Sequence, residues 1–403
     1  MDTKEIKIKL KKSAFYREEE VRRKLSEFVL KTDFFSMGQE CKKFEKRFSE
    51  YQGRKYAVLT NSGSSANLLL LQSLINLGIL NRGDIVAFTA ITWSTNVSPI
   101  IQLGLIPYPV DIELNRINSG SKQFLEAIQR SKKSDQKIKA FFITNILGIC
   151  SDIDVIKDIC QEHNIILIED NCQSLGSVYK NKKLGNFGLA STFSFYIGHH
   201  LSTIEGGCVC TDDEELYNML VISRAHGWIR NLSEQKRKEF REKYQIDSFY
   251  ELYTFFDIGM NIRPTEITGF IGNIEIDFID EIVDKRWNNF RKLIDYASNN
   301  NHLIQLDVSH MTIVSNFAFP LIFKSKEKAE EYKKKFIDYG IEIRPISGGN
   351  ITKQPFFKKY LNASEFYLPN ADLIHSNSFW IPNDPNLEKK EIEIMGNIIS
   401  TEG

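Results

Sequence analysis

Short apolar runs alternate along this chain with stretches whose apolar residues recur every three or four positions. Lys55–Thr60, Asp84–Phe88, Ile106–Ile112, Lys139–Asn145 and Ile165–Ile168 are the short runs. They are rich in β-branched and aromatic residues and end at polar or small ones, which predicts buried strands. Helical spacing falls between and around them. Cys41–Tyr51 sets Phe44, Phe48 and Tyr51 on one face, and Ala66–Leu77, Ser121–Ile128, Asp152–His163 and Asp212–Arg224 follow the same period. Thr89–Thr95 reads as a loop. Strands apolar on both faces, alternating with helices, predict an α/β fold with a mostly parallel sheet covered on both sides.

The pattern changes towards both ends. Residues 1–33 are a charged N-terminal segment with a helical pattern over Glu18–Leu30. The large domain spans 34–280. Within it, residues 232–255 are so highly charged that a mobile surface excursion over the active site is expected. Beyond 280 come a long helix (Asp280–Ser298), a strand (Asn316–Phe323), a charged helix (Ser325–Tyr339), a strand (Ile341–Pro345) and a last helix (Glu388–Ser400). These form a smaller C-terminal α+β domain, 281–403.

Charge removes several function classes. Lys+Arg and Asp+Glu both total 52, so no net field steers the chain to nucleic acid or anionic membrane. The longest apolar run, Leu68–Leu80, is broken by Gln72, Asn76 and Gly78, and the Lys4–Lys12 region lacks the apolar core of a signal peptide. Six cysteines without framework spacing fit a reducing cytoplasm.

Three stretches carry candidate chemistry. Lys55–Thr60 runs into Asn61-Ser62-Gly63-Ser64-Ser65 and then a helix, so free first-turn amides and the helix dipole can meet an anion, although an ordinary N-cap has the same look. Ile165–Ile168 runs into Glu169-Asp170-Asn171-Cys172-Gln173, an acidic pair at the carboxyl end of a strand, where ligands of open α/β sheets lie; a capping aspartate is the plainer alternative. Thr192–Tyr196 breaks at Gly198 into His199-His200 and resumes as Cys208-Val209-Cys210 after Glu205-Gly206-Gly207. A β-turn-β ribbon tipped by imidazole is the result. Two solvated histidines would be its plainest explanation, and a metal site is disfavoured because adjacent strand residues face opposite ways.

The ribbon resembles that of the pyridoxal-phosphate-dependent sugar-nucleotide aminotransferases, in which Ser-Phe-aromatic-x-x-Lys precedes a Gly-Glu-Gly-Gly turn. Here Ser194-Phe195-Tyr196 leads to His199 at the lysine position, which is similar to the pyridoxamine-phosphate-dependent sugar 3-dehydratase branch. The resemblance runs from about Phe34, in Phe34-Phe35-Ser36-Met37-Gly38-Gln39, to the last helix. It implies fold type I of the pyridoxal-phosphate transferases, with PLP or PMP as cofactor. It assigns the phosphate to the turn of Gly63 and Ser64, a cofactor contact to Ser194, ring stacking to Trp93, the pyridine nitrogen to Asp170 and the ring hydroxyl to Gln173. Asn261, in Asp257–Glu266, would reach the phosphate of the neighbouring subunit of a homodimer.

His199 is then the catalytic base in place of a covalent anchor. The implied reaction removes the C3 hydroxyl of a nucleotide-linked 4-keto-6-deoxy sugar, a mannose derivative or a heptose homologue, with L-glutamate restoring the amine. GDP is favoured because Arg224–Asn231 and Arg344-Pro345 resemble the GDP-sugar enzymes, and His226, Arg230 and Glu342 are candidate substrate contacts. Some related dehydratases hold an iron–sulfur cluster. Arg224–Asn231 contains no cysteine, so none is expected, and Cys150, Cys208 and Cys210 read as core thiols. A sugar aminotransferase and a non-catalytic relative are the alternatives. The missing lysine disfavours the first; the retained Ser64, Asp170, Ser194 and Asn261 disfavour the second.

Overall fold

The computed structural model describes residues 7–133 and 136–400; the start of the N-terminal segment, with Lys4, lies outside them. Strands follow in the order β1 (Tyr56–Thr60), β2 (Ile85–Thr89), β3 (Ile106–Val110), β4 (Ile138–Thr144), β5 (Ile166–Asp170), β6 (Val178–Tyr179), β7 (Lys182–Lys183), β8 (Ala190–Ser194), β9 (Gly207–Thr211), β10 (Met311–Ile313), β11 (Ala318–Ile322) and β12 (Ser378–Pro382). Helices α1 (Glu18–Lys31), α2 (Gln39–Gln52), α3 (Gly63–Asn76), α4 (Ser94–Gln102), α5 (Ser121–Lys133), α6 (Ile153–Glu162) and α7 (Glu214–Ser223) belong to the first part of the chain. They are followed by α8 (Glu234–Tyr244), α9 (Glu266–Glu275), α10 (Ile279–Ser298), α11 (Lys326–Asp338), α12 (Pro355–Tyr360), α13 (Pro369–Asn377) and α14 (Lys389–Ser400).

The main sheet has the order β1-β9-β8-β5-β4-β2-β3. Only β9 runs against the others, paired antiparallel to both β8 and β1. Side chains alternate across the sheet as a period of two requires. Val86, Phe88, Ala140 and Phe142 pack with Leu69 and Leu70 of α3 and Leu216 and Leu220 of α7, while Ile85, Ala87 and Phe141 pack with Phe124 of α5 and Ile156 of α6. At the β1 side, Phe48 of α2 lies fully buried among Phe44, Phe193 and Phe195. Phe48→Ala should cost about 3–5 kcal/mol, read as a lower denaturant midpoint. A loss under about 1 kcal/mol would mean that this aromatic cluster does not brace β8.

The segment before α1 is bound to the far end of the chain. Lys7 and Ile8 donate backbone N–H to Gly340 O, and Leu10 N–H donates to the Glu342 carboxylate. α10 and α14 pack on each other, Phe290 of α10 meets Phe319 of the antiparallel β11–β12 pair, and α11 and α13 contact β12.

Several expectations are corrected. Thr89–Thr95 is not all loop, because α4 begins at Ser94 and carries Pro99 inside it. Ile341–Pro345 forms no strand: single bridges, Ile8 to Ile341 and Arg344 to Trp380, replace a ladder, and Pro345 has no N–H to extend one. The charged stretch 232–255, expected as a surface excursion, carries a helix, α8, none of whose residues is buried. Ser233 caps it, and Arg237 and Arg241 pair with Glu234 and the buried Glu251.

Candidate active site

Local chemistry brings β1, β8 and β9 together at the carboxyl end of the sheet. β1 stops at Thr60, and the Ser62 hydroxyl accepts the Ser65 N–H at 3.1 Å to cap α3. A Cβ on Gly63 would lie 2.6 Å from the Ser194 Cβ, so only glycine lets the turn close on β8. Gly207, paired in register with both Thr60 and Ser194, is as tight: its Cβ would stand 2.3 Å from Ser62 O. Ser64 is exposed, whereas Ser194 is buried, its hydroxyl accepting the Tyr196 N–H at 3.3 Å. The first turn of α3 therefore opens onto Ser194.

Asp170 ends β5, with 3 % of its surface exposed. Its Oδ2 accepts Asn67 Nδ2 (2.9 Å) from α3 and Asn96 Nδ2 (2.7 Å) from α4, and its Oδ1 accepts the Cys172 N–H (2.8 Å). Thr92 Oγ1 donates to Asn96 Oδ1 at 2.9 Å, which orients that amide so its nitrogen meets the carboxylate. All three donors to Asp170 are neutral, and among the described residues it has no ion pair. A buried anion satisfied in this way retains a charge that a cation can still neutralise. Glu169 points elsewhere, accepting the N–H groups of Gly185, Phe187 and Gly188. Trp93 precedes α4 and is half exposed, at 53 %. The Gln173 amide is already engaged, accepting the Leu147 N–H (3.2 Å) and donating to Ser347 Oγ (3.1 Å).

The ribbon continues past β8 and β9 through Phe195 N–H to Gly206 O (2.8 Å) and Ile197 N–H to Ile204 O (3.0 Å), then turns as the His199 N–H donates to Tyr196 O (2.8 Å). The two histidines sit in this turn and not on a strand, which corrects the expected alternation. They nevertheless differ. His200 is buried with Nε2 3.0 Å from Ser315 O, so it anchors the turn to the chain before β11. His199 is half-buried, edge-on to Tyr196 and tilted against Phe317, with Nδ1 shielded from solvent and unpartnered. Burial first, then the Arg286 and Lys11 cations, push its imidazole down from 6.5 to about 4. It is a neutral base at pH 7.

Asn261 is exposed. Its Oδ1 accepts Arg263 Nε at 3.0 Å, and its loop is tied to the phosphate turn by Asn61 N–H to Ile262 O (3.0 Å). His226, at φ 59°, and Arg230 gather on Trp228: the histidine ring is edge-on at 4.7 Å, and the guanidinium lies over Trp228 and Tyr253. Glu342, a candidate substrate contact, already holds partners from its own chain. Leu10 N–H and Arg344 occupy its two oxygens, because the N-terminal segment folds onto it. Cys208 and Cys210 place their sulfurs 3.9 Å apart, and Cys150 packs instead on Met311. All three are buried. Among the described residues no group of three or more His, Cys, Asp or Glu could hold a metal ion, and no helix is long and apolar enough to cross a membrane.

Asn67, Asn96, Phe317 and Arg286 were not singled out from the sequence. Asn67 did leave a signal there: it is an amide within an otherwise apolar helical run, and such a residue needs a buried partner.

The residues present fit a phosphorylated pyridine cofactor. Gly63 brings a helix start, with its free amides, against the Ser194 hydroxyl, Asp170 has no ion pair among the described residues, and Trp93 is half exposed. Fold and site define a pyridoxal-phosphate enzyme of fold type I. Residues 16–400 match the DegT/DnrJ/EryC1/StrS aminotransferase family, and the chain belongs to that family. It is 35% identical over 379 residues to the GDP-4-keto-6-deoxy-D-mannose 3-dehydratase of Yersinia pseudotuberculosis, covering 92% of this chain and 93% of that one. Among solved structures, the E. coli GDP-4-keto-6-deoxy-D-mannose-3-dehydratase with bound hydrated PLP superposes with a TM-score of 0.86 at 31% identity, covering 98% and 100% of the two chains. A GDP-4-keto-6-deoxymannose-3-dehydratase with a trapped PLP-glutamate geminal diamine gives 0.83 at 31% identity, covering 96% and 98%.

Proposed function

We propose that the protein is a cytoplasmic, homodimeric 3-dehydratase acting on a GDP-linked 4-keto-6-deoxy sugar, with pyridoxamine phosphate as cofactor and L-glutamate as amino donor. The observation that carries this reading is an imidazole, His199, at the ribbon turn where aminotransferases need an amine. The names of its relatives support the substrate and the amino donor.

When bound, the cofactor supplies a primary amine for the C4 ketone and a ring that accepts electrons. The chain's own groups do the rest. The first-turn amides of α3 and the Ser194 hydroxyl bind phosphate, Trp93 offers a stacking face, and Asp170 holds a proton on the ring nitrogen. His199 takes a proton from carbon as a neutral base and returns it to the departing C3 hydroxyl as imidazolium. His226 and Arg230 contact the nucleotide sugar. Incubation with the GDP-linked 4-keto-6-deoxy sugar, glutamate and cofactor should yield a product lighter by one oxygen. A product carrying a new amino group at C4, with the C3 hydroxyl intact, would establish an aminotransferase instead.

Exposed Phe34 (60 %), Phe35, Tyr196 and Ile204 on the opening loop and ribbon support a second copy covering this face. Asn261→Ala should then weaken cofactor retention on gel filtration several-fold. Full activity in a species that light scattering shows to be monomeric would refute the shared site.

A further inference from the structure

A cation lies buried behind the turn that carries His199. Arg286 of α10 is 1 % exposed, and a guanidinium removed from water requires acceptors for its N–H groups. Carbonyls supply them at the two terminal nitrogens, while Nε is buried without a partner among the described residues. Nη1 donates to Asn316 O (3.2 Å) and Asn383 O (2.6 Å), and Nη2 to His199 O (3.4 Å). These oxygens belong to the chain entering β11, the chain leaving β12, and the ribbon turn. The Asn383 amide nitrogen donates back to Arg286 O at 3.1 Å and to Asn316 O at 3.2 Å, which closes the network. One planar group thus joins the ribbon turn to both strands of the C-terminal sheet. A lysine lacks the fork that makes this possible.

The surrounding charges are laid out around this group. Arg286 and Lys11, from the N-terminal segment, both act on the His199 ring, and neutral His200 adjoins it. Asp384, buried after β12, compensates the cations: it lies 4.0 Å from Lys11 Nζ, and its field acts on Arg286. Glu275, at the end of α9, is pushed up to about 7 by burial, with Lys11 pulling the other way. No carboxylate among these is bonded to the histidine.

We infer that Arg286 is a positioning residue for His199, fixing the backbone of the ribbon turn from behind while presenting a cation to its ring. The inference rests on the reading of His199 as the base. A guanidinium here sets both the place of the imidazole and its readiness to accept a proton. Because a like charge disfavours protonation, losing Arg286 should return the ring towards its ordinary value.

The test combines His199 ring titration by NMR in cofactor-free protein, assigned with His199→Asn, and steady-state kinetics of the loaded enzyme. Arg286→Met should raise the His199 midpoint by about one pH unit and lower kcat at least about tenfold while KM stays within about threefold. Arg286→Lys, which keeps the charge, should hold the midpoint low yet recover only part of kcat. Wild-type midpoint and kcat in Arg286→Met would overturn the inference. Should Arg286→Met fail to fold, Arg286→Lys decides: wild-type kcat there overturns it, and reduced kcat with an unmoved midpoint supports it. His199→Asn separates the two levels. Dehydration surviving that change defeats the base assignment itself, whereas its loss, with Arg286 variants unaffected, defeats only the role of Arg286.

Discussion

His199→Asn should lower dehydration by about 10²–10⁴-fold, the range for removing a positioned general base, while the protein folds and retains cofactor. Asparagine is close in size but has no group that titrates near neutrality. His199→Lys makes the complementary test. An amine at the turn should tie the aldehyde form of the cofactor to the chain, and borohydride should fix the added mass to the protein. Dehydration should collapse there too, because a free lysine amine is mostly protonated at pH 7. His200→Asn is the control: it loses the 3.0 Å contact to Ser315 O and should lower the melting temperature more than the turnover of the folded protein. Dehydration abolished by His200→Asn but retained by His199→Asn would mean that the other imidazole is the base.

The second large effect belongs to Asp170. Asp170→Asn removes the charge of a carboxylate held by neutral donors, leaving the ring nitrogen without a counterion. The change also reverses a hydrogen bond. An asparagine oxygen can accept from Asn67 and Asn96, but its nitrogen would then face the Cys172 N–H, donor against donor. Leaving one member of such a buried charge pair unmatched costs about 3 kcal/mol or more, on the order of a 10²-fold loss of turnover, together with weaker cofactor retention. Near wild-type turnover at normal cofactor occupancy would rule out Asp170 as the residue that holds the ring proton.

Legibility was uneven, for reasons that follow from the range of the interactions. The short buried strands were readable because both of their faces meet apolar layers, so nearly every residue in them is apolar. The turn at Gly63 was readable because a strand, a small-residue cap and an apolar helix follow one another directly. The segment Ile341–Pro345 misled: its apolar residues pack against the N-terminal segment and β12 without a ladder. The start of α4 was hidden because Pro99 and β-branched residues lower its helical signal, while burial of Val97 and Ile100 stabilises it.

By itself the sequence determined the alternation of strands and helices, the helix start that receives an anion, the aspartate closing β5 and the imidazole in place of an amine. Each of these is written in residues that are neighbours along the chain. Only the tertiary structure decided that Asn67 and Asn96 hold Asp170, that Glu342 is occupied by the N-terminal segment, and that Arg286 grips the turn of His199 from 87 residues away. It also decided which histidine is the freer one, since the two are adjacent in sequence and identical in type. What separates them is the Ser315 carbonyl, brought to His200 by the packing of the C-terminal sheet against the ribbon, and no local pattern encodes where such a distant acceptor will lie.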